Sequence, residues 1–321
     1  MQDITDNLKQ IFADRLKQDE PLSKHLNFRI GGPAKWFVEV LTLEEIQHAL
    51  KIAHDAEVPT FVLGGGSNIL ASDNGFDGLV IKIAMREISV VDDRVVADAG
   101  AITSLVARAS ADAGLAGFTW AVSLPGTIGG AVRGNAGCFA GEMRDAVEKV
   151  EVWQKGKIVE LTNDDLQFGY RESAIKHSDD IVLKVTLKLE AGNPDDLKRE
   201  LTDALENRKS SQPQGASSAG CIFKNFDFTQ EAQIDQLRQQ VAIPEQMMQG
   251  KRVSAGWIID QLGLKGERVG DASISTEHGN FIVNHGNATS ADVKSLIDKI
   301  KTEALNRFGI ELTEEVQYLG L

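Results

Sequence analysis

Cysteine is nearly absent from this 321-residue sequence, which has only Cys138 and Cys221. Two thiols cannot build a disulfide framework, or a four-ligand zinc site on their own, so both read as free thiols in a reducing compartment. Basic charge is also scarce: 34 Lys and Arg face 47 Asp and Glu, for a net charge of −13. A non-specific nucleic-acid binder needs a basic face to displace counterions from phosphate, so nucleic acid is not an expected partner. Long apolar runs are missing as well. Gly78-Leu79-Val80-Ile81 is among the longest, far short of the roughly 18–20 residues of a membrane helix. The opening Met1-Gln2-Asp3-Ile4-Thr5-Asp6 lacks the basic and apolar blocks of a signal peptide. The expectation is a cytoplasmic protein with no membrane partner. With 42% hydrophobic and 25% charged residues, the composition is that of an ordinary globular protein, and the length suggests two or three domains.

Glycine, by contrast, is plentiful: there are 30, many of them in clusters. Trp36 to Val40 reads as a strand. Thr42 follows as an N-cap with Glu45 three residues on, a capping box. The apolar stripe Ile46, Ala49, Leu50 and Ala53 marks a helix, and Thr60 to Leu63 a second strand, together a parallel βαβ unit. Short β-branched runs follow at 79–83, 88–91, 95–98, 147–153 and 157–161, and alternation over Ile181 to Glu190 predicts a half-buried strand. A charged helix spans 194–210, and the loop at 211–218 marks the main domain boundary. Near the end, Ser290 caps a helix with the stripe Val293, Leu296, Ile297, Ile300, Ala304 and Phe308. Gly309 stands at its C′ position, and a final strand runs from Ile310 to Leu319.

The loop Gly64-Gly65-Gly66-Ser67-Asn68 leaves a strand, so its backbone N–H groups are placed to form an anion nest. It matches neither the dinucleotide fingerprint nor the P-loop, and by itself it reads equally well as a tight turn. A second small-residue segment changes the weighing: Ser123-Leu124-Pro125-Gly126-Thr127-Ile128-Gly129-Gly130-Ala131, then Asn135-Ala136-Gly137. A core strand does not use four glycines. Two such loops in an acidic chain suggest a large phosphorylated cofactor whose diphosphate meets amide dipoles more than lysines. His278 and His285 have no acidic third ligand nearby, so no metal is expected.

The strings Asn27-Phe28-Arg29-Ile30-Gly31-Gly32-Pro33-Ala34 and Leu63-Gly64-Gly65-Gly66-Ser67-Asn68-Ile69-Leu70 resemble the opening of the UDP-N-acetylenolpyruvoylglucosamine reductases, flavoenzymes of bacterial cell-wall synthesis. Four further blocks agree in order: Leu124 to Val132 with Asn135-Ala136-Gly137, Tyr170-Arg171-Glu172-Ser173, Gly220-Cys221-Ile222-Phe223-Lys224-Asn225, and His278-Gly279-Asn280-Phe281-Ile282-Val283-Asn284. The resemblance implies an α+β fold: a two-lobed FAD-binding region of the vanillyl-alcohol-oxidase (PCMH) type, followed by a C-terminal α+β substrate-binding domain. Its expected parts are residues 1–75 and 76–205 for the two lobes and 206–321 for the substrate domain. It further implies that Arg29, Gly64, Gly65, Gly66, Ser67, Asn68, Pro125, Gly126, Thr127, Gly129, Gly130, Asn135 and Ala136 bind FAD. Relatives that attach flavin covalently usually place a histidine in the first loop, where this chain has Asn68, so FAD is expected to be non-covalent. NADPH is the implied co-substrate, UDP-N-acetylglucosamine-enolpyruvate the substrate, and a monomer the implied state.

Reduction of an enolpyruvyl ether needs a hydride at one alkene carbon, a proton at its neighbour, and a partner for the enolate-like charge between the two events. The resemblance assigns these roles to Arg171, Cys221 and Glu315, with Tyr170, Lys224, Asn225 and Asn280 as substrate ligands. Arg171 suits a carboxylate because guanidinium stays charged and binds in a bidentate manner. A thiol titrates near ~8.5 unless perturbed, so Cys221 can donate a proton at neutral pH. An extended Gly220 to Asn225 sets Cys221 on the face of Phe223 and turns Lys224 away. Cys138 reads as a small buried hydrophobe. Alternation over 311–319 nominates Glu314 as the buried carboxylate, whereas the resemblance nominates Glu315, immediately before Val316. Phe226 to Ser254 is longer than the family pattern and reads as an added helix on the substrate domain or a reshaped sugar-nucleotide entrance. Phe226 and Arg133-Gly134 also depart from it, and the compact stretch from Arg171 to Cys221 indicates the shorter subtype. Two other readings stay open: a flavin oxidase of the same fold acting on another sugar or alcohol, and a non-catalytic sugar-nucleotide sensor.

Overall fold

The computed structural model describes residues 4–138, 141–213 and 215–321. Its contacts divide the chain into two compact units. The first comprises the chain up to Glu20, Ala34–Gly66 and Asp77–Ser210; the second comprises Pro21–Pro33, Ser67–Phe76 and Ser211–Leu321.

The first unit holds a four-stranded sheet, in the order Lys17–Pro21, Pro33–Val40, Phe76–Ile83, Thr60–Leu63. The strand–helix–strand reading is corrected in one respect. Thr60–Leu63 pairs in parallel with Phe76–Ile83, which lies between it and Pro33–Val40. Between Pro33–Val40 and Thr60–Leu63 the chain forms the helix Leu43–Asp55, which buries Ile46, Ala49 and Ala53. Thr42 caps it, accepting from Glu45 N at 3.2 Å. The Glu45 carboxylate returns to Leu41 N at 2.7 Å, one residue short of the expected capping box, and Arg15 grips it from the other side at 2.8 Å. This hydrogen bond from Arg15 is the main reason the Glu45 carboxyl stays ionised below the ordinary carboxylate range.

A five-stranded antiparallel sheet follows, ordered Lys157–Thr162, Val147–Gln154, Ile181–Lys188, Arg94–Asp98, Ile88–Val91. Ile181–Lys188 is its central strand, and Val182 and Thr186 are buried together with Leu183, Val185 and Leu187. The expectation of a half-buried strand is therefore wrong. Side chains on both faces are buried, the helix Ile128–Arg133 packs against the strand, and what reads as alternation is the interruption by Lys184 and Lys188.

The second unit has its own core. Its longest helix, Ser290–Phe308, buries Val293, Leu296, Ile297, Ile300, Ala304 and Phe308, the stripe read from the sequence. The cap lies one residue earlier than expected: Thr289 accepts from Asp292 N at 3.0 Å, and Asp292 returns to Thr289 N at 2.9 Å. Ser290 instead binds Asp73, donating through Oγ at 2.7 Å. Gly309 ends the helix at φ +66°, the left-handed turn that glycine makes without strain. The expected strand from Ile310 to Leu319 is regular only at Gln317–Leu319, which pairs in parallel with Ile69–Ala71. Its upstream part changes partners, so no continuous ladder forms.

The stretch from Phe226 to Ser254 forms short helices at Glu231–Ile234, Asp235–Arg238 and Glu245–Gln249. Ile234 and Leu237 are buried in the core. Gln236 donates to the carbonyls of Asn306 and Arg307 at 3.2 and 2.9 Å. The segment thus satisfies terminal carbonyls of the Ser290–Phe308 helix that have no partner within it.

Candidate active site

In the first unit the two glycine-rich loops lie back to back. A Cβ added to Gly65 would stand 2.5 Å from Gly126 Cα, and one on Gly64 would stand 2.6 Å from Thr127 Oγ1. No side chain larger than hydrogen fits this approach. Thr127 is 9% exposed, and its hydroxyl is buried with no hydrogen-bond partner among the described residues. Such an orphan costs about 1–3 kcal/mol, an expense that a polar ligand at the loops removes. The donor set therefore fits a phosphorylated cofactor. Gly129 and Gly130 open the short helix Ile128–Arg133, and Ala136 follows Asn135. Pro125 is exposed.

Asn135 is fully buried, with a left-handed backbone at φ +40°. Its Nδ2 donates to Gly169 O at 2.8 Å and to Glu142 Oε2 at 3.1 Å, while its Oδ1 accepts from Arg144 N at 3.0 Å. The amide thus fastens the chain at the start of the Tyr170–Arg171 turn. Arg171 Nη2 donates to Gly137 O at 2.8 Å, and the guanidinium carbon lies 5.1 Å from the Tyr170 ring centroid. Ser173 Oγ closes the motif by donating to Arg133 O at 2.7 Å. Burial draws the Arg133 guanidinium below its ordinary pKa. Cys138 is half-buried, with its Sγ 3.6 Å from Ser123 Oγ, and burial pushes its thiol up.

In the second unit, Cys221 and Phe223 each form an extended bridge, to Phe281 and Glu314 respectively. Asn280, 3% exposed, mimics a strand partner: Oδ1 accepts from Phe223 N at 2.9 Å and Nδ2 donates to Phe223 O at 2.8 Å. Ile222 carries the other side, donating its N–H to Asn280 O at 2.9 Å and accepting from Glu315 N at 2.7 Å. Cys221 and Glu315 therefore lie on adjoining extended segments. The Glu314 carboxylate binds Lys301 at 2.7 Å and accepts from the Tyr318 hydroxyl. Burial alone would raise Glu314, but these two partners outweigh it and hold the carboxyl below the usual range. The Tyr318 phenol is pushed well above its ordinary value by burial and by Glu314.

Asn68 Nδ2 donates to Glu315 O at 3.1 Å, while its Oδ1 is buried without a partner among the described residues. Ser67 and Asn68 thus belong to the second unit, as does Arg29, which is exposed with φ +54°. Asn225 Oδ1 accepts from Ala255 N at 3.1 Å, and Lys224 N donates to Thr313 O at 2.9 Å.

Known proteins resemble this chain over nearly its whole length. A reductase of Clostridioides difficile (strain 630), named UDP-N-acetylenolpyruvoylglucosamine reductase, is 36% identical over 99% of this chain and 98% of its own length. The chain belongs to the UDP-N-acetylenolpyruvoylglucosamine reductase family. A Caldanaerobacter subterraneus subsp. tengcongensis protein of the same name is 35% identical over 99% of this chain and 98% of its own. The crystal structure of the Thermus caldophilus reductase superposes with a TM-score of 0.75 at 36% identity, covering 95% of this chain and 99% of that one. The family's C-terminal domain model matches residues 212–319, and an FAD binding domain model matches 34–162. As a member of this reductase family the chain is an oxidoreductase with an α+β flavoprotein fold and FAD as its cofactor. Sequence reasoning missed Lys176 and Lys301, which hold Arg171 O and Glu314 respectively. Each lies outside the recognised strings, and no sequence pattern announces which backbone or side-chain group a lysine reaches.

Proposed function

We propose that this protein reduces UDP-N-acetylglucosamine-enolpyruvate to UDP-N-acetylmuramate with electrons from NADPH, as a cytoplasmic monomer supplying peptidoglycan precursors. FAD, when bound, supplies the hydride. In this reading residues 1–75 and 76–205 form the two lobes that bind it, without a covalent bond because Asn68 stands where a histidine would attach it. The Gly64 to Asn68 loop faces the diphosphate, and Pro125 to Ala136 line the flavin. The substrate domain, 206–321, supplies Lys224, Asn225 and Asn280, and Tyr170 completes the substrate contacts.

Arg171 pairs with the substrate carboxylate, where a permanent positive charge stabilises the enolate-like transition state. The Cys221 S–H bond breaks as a C–H bond forms on the carbon next to the hydride acceptor, and the thiolate is reprotonated from solvent. Glu315 polarises the enol system. The observation that carries this reading is the Ile222 junction. It fixes Cys221 and Glu315 on adjoining segments through its bond from Glu315 N, 2.7 Å long, and Asn280 holds the next residue from both backbone atoms. A proton donor has to be held to within fractions of an ångström of its target, and this segment is held at successive residues. Holoenzyme carrying Cys221→Ala is expected to accept electrons from NADPH at the normal rate and then stall in the presence of the enolpyruvyl substrate, whereas Cys221→Ser keeps some turnover. Normal turnover by Cys221→Ala would remove the proton-donor assignment. Rapid reoxidation by air without substrate would favour an oxidase.

A further inference from the structure

Arg171 has φ +58°, in the left-handed region that glycine or asparagine normally fills. It is the second residue of a two-residue turn closed by Gly169 and Glu172, whose backbones exchange hydrogen bonds of 3.0 and 3.1 Å. A non-glycine residue held in this region is strained, and such strain persists only where the surroundings over-determine it. The Arg171–Glu172 peptide sets ψ of Arg171 and closes the turn. Both ends of that peptide are pinned: Glu172 N donates to Gly169 O at 3.1 Å, and Lys176 Nζ donates to Arg171 O at 2.7 Å. The Lys176 side chain is only 11% exposed and also lies 3.2 Å from Glu172 Oε1. An ammonium is costly to bury, yet the ion pair, with Glu172 35% exposed, is of the kind that contributes little. The distinctive contact is the one to the carbonyl.

We infer that Lys176 is a positioning residue for Arg171: it pins the peptide that sets ψ of Arg171 and closes the turn, and so sets where the guanidinium points. This rests on the reading of Arg171 as the substrate's carboxylate partner. Lys176→Met removes the charge while keeping the apolar stem; Lys176→Arg keeps a donor.

In stopped-flow experiments on holoenzyme, Lys176→Met is expected to slow reoxidation of the flavin by saturating enolpyruvyl substrate at least tenfold. Reduction by NADPH should stay within twofold of the parent, and Lys176→Arg should recover most of the loss. In the flavin-free protein, hydrogen exchange at the Glu172 amide should quicken at least tenfold. Reoxidation at the parental rate or equal slowing of both half-reactions would each overturn the positioning role. If the parent itself is not reoxidised by the substrate, the functional reading fails, while the Glu172 exchange rate still decides whether Lys176 holds the turn.

Discussion

The Tyr170–Arg171 turn and the Cys221–Phe223 segment both present a residue proposed for the chemistry, and they are held in opposite ways. Arg171 sits in a strained backbone conformation, in a turn held by side chains: Asn135 on Gly169 O, Ser173 on Arg133 O and Lys176 on Arg171 O. Cys221 sits in relaxed extended backbone, bridged to Phe281, with Asn280 standing in for a strand edge beside it. The first arrangement stores strain to aim a side chain. The second lowers the energy of the segment it aims. Substitutions should therefore separate position from stability at Arg171, and should affect both together at Asn280.

The largest expected effect follows from that contrast. Asn280→Leu leaves the Phe223 N–H and C=O without their side-chain partners in a site where Asn280 is 3% exposed and Phe223 1% exposed. At about 1–3 kcal/mol per orphaned group, the loss for the two is roughly 2–6 kcal/mol, read as a lower midpoint in urea at constant m. Turnover should fall as well, since the bridge at Cys221 loses its neighbour. A change under about 0.5 kcal/mol would mean that the segment is held by its backbone bonds alone, and the contrast with Arg171 would collapse.

Next in size is the first unit's glycine contact. Gly65→Ala puts a methyl group 2.5 Å from Gly126 Cα and 3.1 Å from Thr127 N. The obstacle is backbone, so a loop has to move, at about 1–3 kcal/mol for overpacking. Because these loops are the proposed cradle for the diphosphate, the expected readout is FAD lost on gel filtration, with affinity down by about tenfold per 1.4 kcal/mol. Full retention of flavin at parental affinity would show that the loops touch each other without serving the cofactor.

Much of this architecture is legible in the sequence, and the departures share a physical cause. The stripe of the Ser290–Phe308 helix and its Gly309 terminus are legible because helical period and left-handed turns are local. The glycine loops stand out by composition. Strand partners, by contrast, are set by distant parts of the chain, and no local pattern encodes them. Ile181–Lys188 is central where alternation suggests one open face, Phe76–Ile83 enters between the strands of the expected βαβ unit, and the stretch after Ile310 changes partners. Lys176 and Lys301 are hidden for the same reason, since their meaning lies in the groups they reach.

The smallest expected effect concerns Glu314, the carboxylate that alternation nominates and the family pattern passes over. Its oxygens are occupied by Lys301 at 2.7 Å and by the Tyr318 hydroxyl, which makes it a structural counterpart to its neighbour Glu315. Its folded pKa lies below the ordinary carboxylate value despite burial, because Lys301 and Tyr318 favour the charged form. The sign follows from that depression. The stabilisation is fully present above the unfolded carboxylate pKa and is lost as pH falls through the lower folded value. With Glu314 side chain 20% and Lys301 40% exposed, screening limits the effect to about 1 kcal/mol or less. Glu314→Gln should therefore melt slightly below the parent at pH 7, and the gap should close as pH falls below the ordinary carboxylate range, where the parent's carboxyl becomes protonated too. Flavin reduction and reoxidation should be unchanged at neutral pH. A large loss of turnover would reverse the assignment of the two glutamates, placing Glu314 in the chemistry and leaving Glu315 to the scaffold.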